Sequence, residues 1–137
     1  MHFVSTGARV LHAQFRPGTP GKRPIVFSNS LGTDLRIWDA VIAGLPGDIP
    51  VLSMDKSGHG LSDAGAVTVE DHAADLAAVM DHFGLTGALV CGVSMGGLIA
   101  QALATTRPDL VAGLVLSNTA AKIGTAQAWA DRIAALE

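Results

Sequence analysis

The chain has 137 residues, with nine Lys and Arg against twelve Asp and Glu for a formal net charge of −3. That length holds one domain, and the acidic balance excludes the basic patch that nucleic-acid binding needs. Hydrophobic residues make up 49% and charged residues 15%, which excludes intrinsic disorder. No apolar run approaches the ~20 residues of a membrane span, and residues 1–10 lack the cationic head and apolar block of a signal peptide. The single cysteine, Cys91, excludes an internal disulfide and a multi-cysteine metal site. These features point to the cytoplasm, with no membrane and no nucleic-acid partner; no cluster of His, Asp and Glu has metal-ligand spacing, Gly58-His59-Gly60 is not a dinucleotide fingerprint, and no cofactor is expected.

Residues 1–15 read as two short strands broken at Thr6-Gly7, followed by a turn-rich loop over 16–24. Residues 25–27 form a short apolar strand that ends in the polar cluster Ser28-Asn29-Ser30-Leu31-Gly32. Leu35, Trp38, Ile42 and Leu45 then recur at helical spacing, and Pro46-Gly47 ends that helix. A strand over 51–54 leads into the loop Asp55-Lys56-Ser57-Gly58-His59-Gly60. Thr68 is placed to cap a helix with Asp71 three residues on; its apolar face is Leu76, Val79, Met80 and Phe83, and Gly84 sits just past its end. On this helix His72 and His82 are expected to face solvent.

A strand over 88–91 and a helix over 97–107 follow, with Cys91 read as a small core hydrophobe. Then come a strand over 111–116 and a helix over 125–137 whose apolar face is Trp129, Ile133 and Leu136. Alternating strands and helices at this spacing predict βαβ units and a mostly parallel sheet of about six strands with helices on both faces.

Gly92-Val93-Ser94-Met95-Gly96 matches G-x-S-x-G. In a glycine-rich chain the bare pattern is weak; its place between a buried strand and a helix is what gives it weight. A serine at the apex of a tight strand-to-helix turn needs neighbours without side chains at 92 and 96. The helix start beneath it favours developing negative charge. Ser94 is therefore the candidate nucleophile. An oxyanion needs two N–H donors. Met95 offers one, and Leu31, in the loop after the strand over 25–27, is the candidate for the other. Without the nucleophile, both segments are plain strand-to-helix turns.

At these residues the chain resembles the α/β-hydrolase family, and within it the 3-oxoadipate enol-lactonases. Three stretches carry the resemblance: Ser28-Asn-Ser-Leu-Gly-Thr-Asp-Leu-Arg-Ile-Trp38, Gly92-Val-Ser-Met-Gly-Gly97 and Leu116-Ser-Asn-Thr-Ala-Ala-Lys-Ile-Gly124. The resemblance implies an α/β-hydrolase core over 1–120 and the start of a helical cap over 121–137. The implied reaction is hydrolysis of 3-oxoadipate enol-lactone in the β-ketoadipate pathway of aromatic catabolism, with a small lactone as substrate. By the same resemblance Arg132 would hold the substrate carboxylate with Trp129 beside it. The alternative at that position is a solvated Arg next to a core Trp, paired with Asp131 or Glu137.

The sequence departs from the family twice. Ser57 stands where relatives usually carry Arg in the Asp-x-Arg-Gly-His-Gly loop. The catalytic acid and histidine, which the family places after later strands, are missing, so the resemblance implies a complementary C-terminal portion, in cis or as a second chain. Among His2, His12, His59, His72 and His82, only His59 follows a strand end on the active-site side, and it matches a structural position of the family. Two other readings stay open: a different serine α/β-hydrolase, such as a carboxylesterase or cofactor-free perhydrolase, and a catalytically inert fragment. Haloalkane and epoxide hydrolases need Asp where Ser94 stands.

Overall fold

The computed structural model describes residues 1–135. Six strands form one sheet: β1 (His2–Ser5), β2 (Val10–Arg16), β3 (Ile25–Ser28), β4 (Val51–Met54), β5 (Ala88–Val93) and β6 (Val111–Ser117). Their spatial order is β1-β2-β4-β3-β5-β6. The first two strands pair antiparallel, and β4, β3, β5 and β6 run parallel to one another. Four helices flank the sheet: α1 (Asp39–Ala43), α2 (Val69–His82), α3 (Met95–Thr106) and α4 (Ala126–Ala134).

The capping chemistry read from sequence is present on α2. Thr68 Oγ1 accepts the Asp71 N–H at 3.0 Å, and the Asp71 carboxylate accepts the Thr68 N–H at 3.0 Å. Gly84 then leaves the helix with φ 64°, a left-handed conformation that a side chain disfavours. The helix expected from Leu35 to Leu45 is instead a 3₁₀ turn, Leu35–Trp38, running into the short α1. Asp34 accepts the N–H of Arg36 two residues on, a local bond that tightens the first turn.

The core lies on one face of the sheet. Val26, Leu52 and Val90 point into it and meet Leu76, Val79 and Met80 of α2 and Ile99 and Leu103 of α3, all buried. Burying such side chains contributes on the order of 2 kcal/mol each. His72 lies on this face too and is only 6% exposed, against the expectation that it faces solvent. It precedes Leu76 by four residues, so it shares the helix stripe that packs inward. His82 is exposed, as expected.

The opposite face is covered unevenly. Trp38 packs on Phe27 with ring centroids 4.7 Å apart. Farther along, Cys91 is half-buried and Val115 of the edge strand β6 is 48% exposed. Cys91 is thus a partly covered strand residue and not a fully enclosed one; what burial it has raises its thiol pKa. Of the face expected on α4, Trp129 is half-buried and Ile133 is exposed, and Leu136 lies outside the described residues. Among the described residues, no helix is long and apolar enough to cross a membrane.

Candidate active site

The turn from β5 to α3 sets the site. Ser94 has φ 54° and ψ −120°, a region that non-glycine residues avoid and that costs of order 1–3 kcal/mol. The surrounding backbone enforces it. A Cβ at Gly92 would run into the Gly96 carbonyl, and one at Gly96 would run into the Ser28 carbonyl at the end of β3. The exit of β6 braces the turn from the other side. Ser94 N–H donates to the Ser117 carbonyl at 3.0 Å, and Thr119 Oγ1 donates to the Ser94 carbonyl at 2.7 Å. Sequence reasoning did not single out Thr119, although it lies in one of the three stretches that carry the family resemblance.

Ser94 opens into a cleft of about 710 Å³ whose lining includes Leu31, Met95, Leu98, Lys122 and Trp129. The backbone N–H groups of Leu31 and Met95 make no hydrogen bond among the described residues. Two uncommitted donors thus border the same cleft as a strained serine at a helix start, an arrangement able to hold a developing oxyanion.

The loop that carries Leu31 is tied to the exit of β4. Asp55 is buried and accepts from Leu35 N–H at 2.8 Å, from Leu61 N–H at 3.0 Å and from His12 Nδ1 at 2.8 Å. His59 Nε2 accepts the Gly32 N–H at 3.0 Å, while its Nδ1 lies 3.1 Å from the Ser57 carbonyl. That pair of contacts assigns the proton to Nδ1. Lys56 is buried and donates to the Ser30 carbonyl at 2.5 Å. Burial pulls its pKa down to about 8, with Asp55 pulling the other way.

These contacts account for the histidines. His59 is held to the loop that carries Leu31. His12 and Asp55 form the sole His–carboxylate contact among the described residues, and neither lines the cleft. His72 is buried, and burial lowers its pKa. His2 and His82 pack edge-on against Phe83. None is hydrogen-bonded to Ser94. Among the described residues no group of three His, Cys, Asp or Glu side chains could hold a metal.

At the other end of the cleft, Trp129 lines the wall and its Nε1 donates to the Ile123 carbonyl at 2.9 Å. Arg132 is exposed and does not line the cleft; its guanidinium lies over the Trp129 ring, 5.6 Å from the centroid. Asp131 accepts from Gln127 at 2.7 Å, and Glu137 lies outside the described residues. The cation that does line the cleft is Lys122.

The sequence matches the family described as "alpha/beta hydrolase fold" over residues 23–133. It is 40% identical over 117 residues to 3-oxoadipate enol-lactonase 2 of Acinetobacter baylyi, covering 84% of this chain and 44% of that protein. The crystal structure of the enol-lactonase from Burkholderia xenovorans LB400 superposes with a TM-score of 0.88 at 36% identity, over 97% of this chain and 52% of the other. A thermophilic esterase from Thermogutta terrifontis superposes with a TM-score of 0.84 at 30% identity, over 96% of this chain and 51% of the other. The chain thus spans about half the length of the relatives it matches.

Proposed function

This chain belongs to the α/β-hydrolase family, and on that premise we propose that it supplies the nucleophile and oxyanion hole of a serine hydrolase acting on esters or lactones. The observation that carries this is Ser94, held at φ 54° beside two uncommitted N–H groups in one cleft. Ser94 Oγ attacks the carbonyl carbon, and the Leu31 and Met95 N–H groups hold the oxygen as it becomes an anion. The carbon–oxygen bond of the ester or lactone then breaks, the leaving oxygen takes the proton that Ser94 gave up, and water releases the acyl group. The shuttle for that proton is a histidine oriented by an acid. The described residues offer neither to Ser94, so both come from a complementary C-terminal portion, in the same chain or in a second one. The described residues alone are, in this reading, catalytically incomplete.

The preferred substrate in this reading is 3-oxoadipate enol-lactone, supported by the 40% identity to an enol-lactonase. Its acetate arm is anionic, so the cleft needs a cation. Arg132, whose guanidinium lies over the Trp129 ring that walls the cleft, is the proposed reader, because its planar fork matches a carboxylate. Residues 121–137 then begin the cap that roofs the cleft.

The test is covalent labelling with a serine-directed fluorophosphonate. We expect negligible labelling of the 137-residue chain alone. Once the C-terminal portion is present, we expect rapid labelling at Ser94 and turnover of enol-lactone ahead of neutral p-nitrophenyl esters. Labelling at another residue, or full lactonase activity from the 137 residues as a monomer, would overturn the reading. Better turnover of simple esters would leave the serine chemistry standing and point to a carboxylesterase.

A further inference from the structure

The Ser30 carbonyl and the Leu31 N–H are the two ends of one planar trans peptide, so they point in opposite directions. Whatever fixes the oxygen therefore aims the N–H. The Ser30 oxygen accepts from Lys56 Nζ at 2.5 Å, from Thr33 Oγ1 at 2.9 Å and, more weakly, from the Thr33 N–H at 3.4 Å, and Lys56 Nζ also approaches the Thr33 carbonyl at 3.5 Å. Thr33 belongs to the same loop and would move with it. Lys56 stands outside that loop, two residues past β4, and is buried.

We propose that Lys56 is a positioning residue for the oxyanion loop: its ammonium draws the Ser30 carbonyl inward and so keeps the Leu31 N–H turned to the cleft. This rests on reading Leu31 as an oxyanion donor. A flipped peptide at this point would put a carbonyl oxygen where the developing anion must sit, and the hole would be lost. Lys56 guards against that flip through a charge-assisted bond at a buried site, where such bonds are strongest. His59 and Asp55 hold the loop at Gly32 and Leu35, which leaves the peptide between 30 and 31 to Lys56 and Thr33.

The charged and titratable groups facing Lys56 are Asp55 beside it, His59 on the same loop and His72 on α2. Of these, only Asp55 favours the ammonium. Burial lowers the Lys56 pKa to about 8, so the clamp weakens as pH rises through that value, while an arginine in its place stays charged.

Hydrogen exchange of the full 137-residue chain, followed by mass spectrometry, reads the loop without requiring turnover. Its outcome is therefore separable from that of the proposed function. At pH 7, Lys56→Met should raise exchange over residues 29–35 by about tenfold, the scale of one hydrogen bond to a charged group. Segments in β5 and α3 should be unchanged, and Lys56→Arg should restore the loop. Wild-type chain examined from pH 7 to pH 9, after correction for intrinsic exchange, should lose loop protection about pH 8, and Lys56→Arg should not. The wild-type series needs no substitution to fold. Flat loop protection across pH 8 in the wild type, or equal loop exchange in wild type and Lys56→Met, would overturn the proposal.

Discussion

Replacing Ser94 by glycine should make the protein more stable, although it removes the proposed nucleophile. At φ 54° and ψ −120° the serine Cβ is crowded by its own backbone, a strain of about 1–3 kcal/mol. Glycine relieves it but brings a looser unfolded chain, which costs about 0.5–1 kcal/mol. The net gain is about 1 kcal/mol, equivalent to about 3 °C in Tm for a chain of this size. Ser94→Ala is the comparison that isolates the backbone. It loses the same hydroxyl and keeps the Cβ, so it should unfold at nearly the wild-type midpoint. Urea titration followed by circular dichroism, with all three proteins sharing one m-value, measures the difference. If Ser94→Gly is no more stable than Ser94→Ala, the turn is not strained in the way its dihedrals imply, and the neighbouring glycines need another explanation.

The same turn gives a steric contrast. Gly96→Ala should destabilise by about 1–3 kcal/mol because its Cβ meets the Ser28 backbone, whereas Gly47→Ala, which meets nothing within 4 Å, should be neutral; equal effects in denaturant titration would refute the argument. The Lys56 pKa is lowered from 10.5 to about 8 in the fold, so between those values the unfolded chain binds the extra proton and stability should rise with pH. Unfolding midpoints from pH 7 to 10.5 should show that rise in wild type and not in Lys56→Met. In the complete hydrolase, Arg132→Ala should slow enol-lactone turnover by an amount equivalent to about 2 kcal/mol and spare a neutral p-nitrophenyl ester. Equal losses on both substrates would mean that Arg132 supports Trp129 only, and a selective loss in Lys122→Ala alone would move the carboxylate site there.

What could be read from the sequence was what neighbouring residues decide. The elbow at Ser94 was legible because its glycines, apolar strand and helix are contiguous, and the α2 cap because Thr68 and Asp71 lie within one turn. The His12–Asp55 pair was not, since it joins β2 to the end of β4 across 43 positions and depends on antiparallel register. Lys56 was hidden for a different reason: its partner is a backbone carbonyl, which leaves no trace in residue identity. His72 could have been placed, because its spacing to Leu76 and Val79 puts it on the buried stripe, but residue polarity outweighed periodicity in the reading. The 3₁₀ turn after Asp34 shares its apolar spacing with an α-helix over one turn, so periodicity alone could not separate the two.

The strand order has a consequence for synthesis. β3 lies between β4 and β5, and the loop bearing Leu31 leaves its end, yet β5 is translated last of the three. Until Val93 has left the ribosome, β3 has one neighbour and an open row of N–H and C=O groups beside apolar Val26 and Phe27. At about 5–20 residues per second that interval lasts on the order of a few seconds after β4 is made. The loop bearing Leu31 and the turn bearing Ser94 cannot meet before it ends. A nascent chain stalled between α2 and β5 is therefore the species that a holding chaperone should engage, and the one most exposed to edge-to-edge association.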